Sequence, residues 1–237
     1  MEKRRAHYNL ATVIAVVMDR RAAAFTKSAI DGGRAMGLTV SEMIDVICAL
    51  KSGHLYKSMT TYKDNTVWQD VYHANTPVGK AYVKSHAEGG WRTRHPIQGV
   101  VAMARICVCC DAKSEMTPFF DETHQVTFRD LKAEVGGLSG FRCGSCGEIE
   151  YDQPSAERYA QAGDALVLQD RQAVGEDLRR IRKKLRINQT EASALTGGGH
   201  NAFSRYETGK VSPPPAVVNL FRMLDRHPDD IKELRRA

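Results

Sequence analysis

The chain has 237 residues and a formal net charge of +6, with 42% hydrophobic and 26% charged residues. This length suits one to three small domains, and this composition is ordinary for a globular protein in water. No apolar run reaches the ~20 residues that a membrane helix needs, and no signal-peptide cleavage pattern follows the basic N-terminus. We therefore expect a cytoplasmic protein without a membrane partner.

The charge is unevenly distributed along the chain. Residues 1–98 and 153–237 carry an excess of Lys and Arg, whereas residues 99–152 carry more acidic than basic side chains. Basic segments suit a nucleic acid partner. The acidic segment can equally dock on a basic neighbour, and imbalances of this size can also be without function.

The N-terminal part of the sequence predicts helices followed by an antiparallel sheet. Thr26 can cap one helix, and Thr39 or Ser41 can begin the next. Three later runs rich in Thr, Tyr, Val and Trp predict strands over 56–62, 67–73 and 80–86. Residues 98–106 are apolar and can form either a last strand or a linker.

Most of the cysteines lie close together, in Cys107-x-Cys109-Cys110 and Cys143-x-x-Cys146. Two thiolates on a tight turn supply one edge of a tetrahedral zinc site, and four sulfurs leave no open position for catalysis. We expect structural Zn²⁺ on Cys107, Cys110, Cys143 and Cys146, although Cys109 can replace Cys107 or Cys110. Short strands are predicted around residues 119, 125–128 and 138–142.

Residues 153–237 predict helices. A connecting helix over 154–170 leads to an apolar stripe that ends near Leu185. Asn188 and Glu191 have the spacing of a capping box at the start of a short helix, which three glycines at 197–199 end. A second short helix over 201–207 follows, and the proline run at 213–215 opens another.

The two short helices carry the pattern Gln189…Ala192…Ser204-Arg205-Tyr206-Glu207-x-Gly209…Pro213. This spacing resembles the Cro/repressor-like helix-turn-helix family, in which the second helix enters the major groove of DNA, commonly as a dimer on a palindrome. The resemblance implies base contacts by His200, Asn201, Ser204 and Arg205, and phosphate contacts by Lys183, Gln189, Thr190 and Lys210. A helical module used only for protein contacts is the alternative.

The CxxC pairs, the connecting helix and the run Gly-Gly-Gly-x-Asn201-Ala-Phe-Ser-Arg205-Tyr-Glu occur in this order. Together, over roughly residues 104–237, they resemble the MqsA antitoxin family. The resemblance implies that the zinc segment binds a toxin, and that the C-terminal helices form a homodimer and repress an operon.

The N-terminal part contains Tyr56-Lys-Ser-Met-Thr-Thr-Tyr62, Trp68-Gln69-Asp-Val-Tyr72 and Gly79-x-x-Tyr82-x-Lys84. Over residues 1–98 the chain resembles the MqsR toxins, RelE-like ribonucleases that cleave mRNA without a metal. The resemblance implies catalytic roles for Lys57, Gln69 and Tyr82, supported by Tyr56 and Met59. Without the resemblance, a solvated sheet face is the plainer interpretation of these residues.

The chain departs from the toxin family where the resemblance would place a C-terminal strand with an active-site lysine. Residues 96–98 look like the start of that strand, but Gly99-Val-Val-Ala-Met103 follows and the lysine is missing. His73 also stands where the family often has arginine. Because one cation beside a reacting phosphate can contribute about 10²–10³ in rate, we expect an impaired toxin.

The expected fold is α+β and multidomain. Its segments are a RelE-like toxin domain (1–98), a linker or residual strand (99–106), a small zinc-bound α/β domain (107–152), a connecting helix (153–172) and an all-α helix-turn-helix domain (173–237). We expect a toxin–antitoxin fusion that mainly represses its own operator, with docking of the two parts within or between chains. The alternative is a latent mRNA interferase that proteolysis releases.

Overall fold

The computed structural model describes residues 1–60, 67–85, 107, 109 and 114–234. Residues 1–85 are called the N-terminal half below, and residues 107–234 the C-terminal half. Cys110, the expected linker or strand at 99–106, and the last part of the expected first domain lie outside the described residues.

The N-terminal half places three helices on one side of a sheet. Each helix begins at a polar cap, because the side chains of Asn9, Thr26 and Thr39 accept hydrogen bonds from backbone N–H groups of the first turn. The caps predicted at Thr26 and Thr39 are thus confirmed, and Glu42 completes a capping box with Thr39. The helices are α1 (Leu10–Arg20), α2 (Lys27–Ala35) and α3 (Val40–Cys48).

Four antiparallel strands form the first sheet in the order β1-β2-β3-β4. The strands are β1 (Glu2–Lys3), β2 (Leu55–Thr60), β3 (Trp68–Thr76) and β4 (Gly79–Ser85). The last three confirm the strands predicted from sequence. Because side chains alternate between the two faces of a strand, Tyr72 and Ala74 face the helices and lie in the core with Ile30 and Ile44. Their neighbours in β3 face away from the helices.

The C-terminal half begins with a second antiparallel sheet in the order β5-β6-β7. Its strands are β5 (Met116–Phe128), β6 (Leu131–Cys143) and β7 (Ile149–Tyr151). The prediction of short strands in this region was wrong in length, since β5 and β6 have 13 residues each. Pairing continues through register shifts on both sides of Glu122, where Asp121 has a φ of 53°. A bulge of this kind absorbs an extra residue without ending the ladder.

Helices form the remainder of the C-terminal half. They are α4 (Gln153–Lys184), α5 (Gln189–Leu195), α6 (Ala202–Glu207), α7 (Pro215–Arg226) and α8 (Ile231–Leu234). The connecting helix and the first C-terminal helix are one helix of 32 residues, α4, which is capped by Asp152. None of the helices in the described ranges has the length and apolar character that a membrane span requires.

The two halves pack on each other through the helices of the N-terminal half. Helix α2 contacts α4 and β7, and one apolar cluster joins Ile30 and Val40 with Tyr159 and Val167 of α4. Asp164 in α4 also accepts a hydrogen bond from the Val40 backbone N–H at 2.9 Å. The chain is therefore an α+β protein in which two sheets and a helical C-terminal region pack together.

Candidate functional site

The face of the first sheet that points away from the helices carries three rows of side chains. Strand pairing gives the rows Tyr56–His73–Tyr82, Lys57–Val71–Lys84 and Met59–Gln69. Residues paired across strands share a face, so all five residues predicted to act in catalysis lie together. The sequence motifs named these residues, and the strand register brings them to one surface.

The first row is aromatic and open to solvent. A register shift between Leu55 and Lys57 places an extra residue in β2, and Tyr56 stacks on His73 with ring centroids 4.4 Å apart. Tyr82 meets the same imidazole edge-on at 4.6 Å. Tyr56 is 54% exposed and Tyr82 is 71% exposed. Exposed rings of this kind can stack with the bases of a single nucleic acid strand.

The second row contains two lysines on either side of buried Val71. Lys57 Nζ lies 2.8 Å from Glu2 Oε2, and this hydrogen bond raises the pKa of Lys57 above its usual value. Lys84 is exposed and forms no ion pair within the described ranges. The row therefore places positive charge directly beside the aromatic row.

The C-terminal half docks on the opposite side of this sheet, against the helices. Within the residues that the structure describes, no hydrogen bond or ion pair joins the C-terminal half to Tyr56, Lys57, Gln69 or Tyr82. Tyr56, Tyr82 and Lys84 are exposed in this arrangement, whereas Met59 and Gln69 are half-buried.

Three of the four predicted zinc ligands meet at the edge of the second sheet. The sulfur atoms of Cys107, Cys143 and Cys146 all lie within 4.8 Å of one another, and Cys107 Sγ is 3.7 Å from Cys146 Sγ. Tetrahedral zinc–thiolate geometry, with Zn–S bonds near 2.3 Å, separates sulfur atoms by about 3.8 Å. The three thiols therefore fit a zinc ion, and the fourth predicted ligand, Cys110, lies outside the described residues.

The loop that carries Cys146 also touches the N-terminal half. Glu148 Oε1 accepts a hydrogen bond from the Ser28 backbone N–H at 3.0 Å, in the first turn of α2, and its other oxygen binds the Ser28 hydroxyl. The Cys109 thiol donates to Glu148 at 3.1 Å, and Cys109 is not a member of the three-sulfur group. The cysteine site and the contact between the halves are thus adjacent.

The residues predicted to bind DNA lie at the end of α4, in α5 and α6, and in the turns on either side of α6. Five of these residues are exposed, Lys183, Thr190, His200, Asn201 and Arg205, as is Lys210 after α6. Ser204 is half-buried. Asn201 stands at the N-cap of α6, where its Oδ1 lies 3.1 Å from His200 Nδ1. Buried Phe203 packs against Phe221 of α7 and fixes α6 on the helical core.

Gln189 is half-buried, and its side-chain amide donates a hydrogen bond to a carboxylate of α6. Gln189 Nε2 donates to Glu207 Oε2 at 2.8 Å, and Arg182 Nη2 donates to the same oxygen at 3.0 Å. Burial alone would raise the pKa of Glu207, but the hydrogen bonds from Arg182 and Gln189 lower it overall. This network joins α4, α5 and α6, so Gln189 has a structural role.

Comparisons with known proteins match the two halves separately. Residues 5–90 match the family model for the motility quorum-sensing regulator, toxin of MqsA. Residues 105–235 match the family model for MqsA, the antitoxin component of a bacterial toxin–antitoxin system. The chain is a fusion of an MqsR toxin with an MqsA antitoxin.

Two Escherichia coli K12 proteins are similar to the two parts of this fusion. The mRNA interferase toxin MqsR is 40% identical over 84 residues, which covers 35% of this chain and 85% of the relative. The antitoxin MqsA is 38% identical over 111 residues, which covers 46% of this chain and 85% of the relative. The order of the matches makes the N-terminal half the toxin part and the C-terminal half the antitoxin part.

A buried arginine of the MqsA part joins three segments of the fusion. Arg171 in α4 is 3% exposed and donates to Glu42 Oε1 and Oε2 at 3.0 and 2.7 Å, and to the Gly37 carbonyl oxygen. Its Nε donates to Ser212 Oγ, between α6 and α7, at 3.0 Å. Toxin and antitoxin parts of the same chain are therefore bonded at the point where α4 meets the C-terminal helices.

Sequence reasoning missed Arg171 and Glu148, and it named Lys84 in a motif without giving it a role. Arg171 and Glu148 bond to residues more than 100 positions away, which no local pattern reveals. The sequence indicates the position of Lys84, because it follows Tyr82 by two residues in a predicted strand and therefore lies on the same face.

Proposed function

We propose that this MqsR–MqsA fusion is mainly a sequence-specific DNA-binding repressor of its own operator, with α5 and α6 as a helix-turn-helix. The observation that carries the proposal is the exposure of Asn201 and Arg205 at the start and on the surface of α6. These residues are four positions apart and share one helix face. Asparagine can bond adenine and arginine can bond guanine in bidentate fashion in the major groove.

The remaining predicted contacts surround this pair. His200 and Ser204 are the neighbouring candidates for base contacts, and exposed Lys183, Thr190 and Lys210 are candidates for phosphate contacts. One N–H of the Gln189 amide is bonded to Glu207, and the side chain is half-buried. We therefore rank Gln189 below the exposed residues as a DNA ligand.

Binding to a palindrome requires two copies of the module. We propose a homodimer through the C-terminal helices, since Met223 of α7 is 58% exposed, whereas Val217, Val218, Phe221 and Leu224 of the same helix are buried. Docking of the toxin on the antitoxin within one chain leaves α7 available for this contact. Exchange of the halves between two chains is the alternative docking arrangement.

The zinc site is proposed to be structural. Cys107, Cys143 and Cys146 would hold the ion, with Cys110 as the fourth ligand, and a closed thiolate set fixes loops without providing an open catalytic position. The ion would thereby fix the loop that presents Glu148 to Ser28. We also propose the domain boundaries at 98, 106, 152 and 172 that the sequence predicts. Helix α4 continues through the boundary at 172.

The toxin part is proposed to be a weakened ribonuclease, because this chain lacks a counterpart of the terminal lysine that the family resemblance implies. A second candidate function is a latent mRNA interferase that is released by proteolysis. The grouping of Lys57, Gln69 and Tyr82 on one face favours this candidate, because the residues that the family resemblance implies for cleavage remain together. Cleavage of mRNA that rises strongly when proteolysis separates the two parts would support it over the repressor proposal.

A DNA mobility-shift titration tests the repressor proposal. The target is the palindrome upstream of the gene, and the proteins are the full chain and its Asn201→Ala and Arg205→Ala variants. Each substitution removes one bidentate base contact worth about 1–3 kcal/mol, so each should weaken binding about 5- to 150-fold. Lys132→Ala, an exposed substitution on the hairpin of β5 and β6, serves as the control and should bind like wild type. Unchanged affinity of both α6 variants would show that this recognition face is wrong.

A further inference from the structure

We propose that Lys84 is a further catalytic residue of the ribonuclease face, where it binds the scissile phosphate from the side opposite Lys57. This inference rests on RNA cleavage by the toxin part. Both lysines pair with Val71, one from each neighbouring strand. Because adjacent strands lie about 4.8 Å apart, the two lysine Cα atoms are about 10 Å apart. Two extended lysine side chains at this spacing can reach one phosphate above Val71.

The two lysines differ in how freely they can meet a phosphate. Lys57 Nζ is bonded to Glu2 Oε2 at 2.8 Å and its side chain is only 27% exposed. A phosphate that approaches Lys57 must compete with the Glu2 carboxylate. Lys84 is exposed and forms no ion pair in the part of the chain that the structure describes. Lys84 therefore offers the more accessible positive charge in the central row.

The adjoining rows suit the rest of a nucleotide. Tyr56 and Tyr82 present exposed aromatic surfaces on one side of the lysines, and Gln69 presents an amide on the other side. A base stacked on the tyrosines would place its phosphate over the lysine row. The geometry thus assigns the base of one nucleotide to the tyrosine row and its phosphate to the lysine row.

Lys84 would stabilise negative charge on the phosphate and would not transfer a proton. In the cleavage step the RNA 2′-oxygen forms a bond to phosphorus while the bond from phosphorus to the 5′-oxygen breaks. The 2′-hydroxyl gives up its proton, the 5′-oxygen takes up a proton, and the products are a 2′,3′-cyclic phosphate and a 5′-hydroxyl. Negative charge builds on the non-bridging oxygens during this step, and a fixed cation stabilises it. Lys84 would supply part of the stabilisation that the missing terminal lysine no longer provides.

The experiment uses the full chain and a labelled single-stranded RNA. Cleavage is followed under single-turnover conditions, and binding is measured with a non-cleavable RNA that carries 2′-deoxy substitutions. Lys84→Ala should lower the cleavage rate about 10²-fold, and Lys84→Arg should retain most of the activity because the charge remains. Lys80→Ala is the matched control, since Lys80 is an exposed lysine of the same strand, opposite Asn75 at its far end. Thermal unfolding of each variant checks that the fold is intact.

Binding gives a second, independent measurement. Loss of one phosphate contact should reduce the slope of log affinity against log salt by about 0.7 for single-stranded RNA. A wild-type chain that cleaves RNA while Lys84→Ala stays within twofold of it in rate and has the same salt slope overturns the role of Lys84 alone. A wild-type chain that neither cleaves nor binds RNA overturns the ribonuclease function and this inference together.

Discussion

Asp164 lies in α4 beneath the start of α3, where its Oδ1 accepts the Val40 N–H at 2.9 Å. Burial raises the pKa of this carboxyl to about 6, against the opposing effects of the Val40 hydrogen bond and of Arg34. A carboxyl whose pKa is higher in the folded than in the unfolded state destabilises the fold when it is ionised. This penalty is fully present above pH 6 and disappears below the unfolded value of about 4.

Asp164→Asn should therefore stabilise the protein at pH 8. The amide oxygen can still accept the Val40 hydrogen bond, and the cost of a buried charge is removed. We expect a gain of about 1 kcal/mol, which corresponds to a rise of about 2–4 °C in Tm for a protein of this size. Thermal unfolding at pH 8 and pH 3 measures the effect, which should vanish at pH 3, below the unfolded pKa. Asp229→Asn, at a side chain that is 91% exposed, should show no such difference, and a loss of stability in Asp164→Asn at pH 8 would contradict the explanation.

Local sequence chemistry was sufficient to predict individual caps but not shared surfaces. Thr26 and Thr39 were identified because a cap depends only on residues within one turn. That Lys57, Gln69 and Tyr82 share one face followed from the register of three strands and a bulge before Lys57. Register depends on pairing between distant segments, so the motif named the residues without giving their arrangement.

Gly175 shows how one residue sets the distance between two helices. A Cβ at this position would lie 2.5 Å from the Tyr206 carbonyl oxygen at the end of α6, much closer than real contacts allow. In an exposed helix, replacing glycine by alanine stabilises by about 1 kcal/mol. Here the clash is with backbone, which cannot rotate away as a flexible side chain can. The packing of α4 on α6 therefore depends on the absence of a side chain.

Gly175→Ala should destabilise the C-terminal helices by about 1–3 kcal/mol, since overpacking outweighs helix propensity. The displaced α6 should also bind the operator more weakly than wild type does. Gly32→Ala is the matched control, because Gly32 lies in helix α2 with no atom within 4 Å of the added Cβ. Chemical unfolding should thus give opposite signs for the two substitutions. A Gly175→Ala variant as stable as Gly32→Ala would show that the helices separate without cost.

The lengths of elements were harder to predict than their existence. Two of the predicted short strands belong to the single strand β5, and β6 is longer than predicted, because β5 and β6 support each other across a bulge at Glu122 that interrupts the alternating pattern. Strand β7 was not predicted. Helix α4 likewise continues through Gly163 and Gly175 because both glycines lie against neighbouring groups, Arg34 in one case and Tyr206 in the other. Tertiary contacts, which the sequence does not display, stabilise these continuous elements.

The contact between toxin and antitoxin parts is less simple than the distribution of charge suggests. Because the N-terminal part is basic and the zinc segment is acidic, net charge favours docking of the zinc segment on the N-terminal part. The buried ion pair across the interface has the opposite polarity, since Arg171 belongs to the antitoxin part and Glu42 to the toxin part. Glu148 of the acidic segment binds the neutral Ser28 instead. Specific hydrogen bonds and the shared apolar core, and not net charge, hold the two parts together.

The Arg171 side chain bonds both to the toxin part and to Ser212 in the segment between α6 and α7, and Ser212 also donates to the Gly37 carbonyl oxygen of the toxin part. Burial alone would raise the pKa of Glu42, but hydrogen bonds from Arg171 and Thr39 lower it overall. Because this pKa is depressed in the folded state, the stabilisation is present at neutral pH and is lost as the pH falls through the folded value. At pH 7 the pair is therefore fully charged.

Arg171→Met should destabilise the fusion at pH 7 by about 2–3 kcal/mol. This loss is smaller than that expected for breaking a fully buried ion pair, because the Glu42 side chain is 22% exposed. The substitution leaves the Glu42 carboxylate without its main partner. The double variant Arg171→Met/Glu42→Gln should recover part of the loss, since it removes the unpaired charge, and the double-mutant cycle isolates the coupling energy. Lys232→Met, which breaks an exposed pair with Asp229, should change stability by less than about 1 kcal/mol. If Arg171→Met costs no more than Lys232→Met, the two parts are held by the apolar core alone.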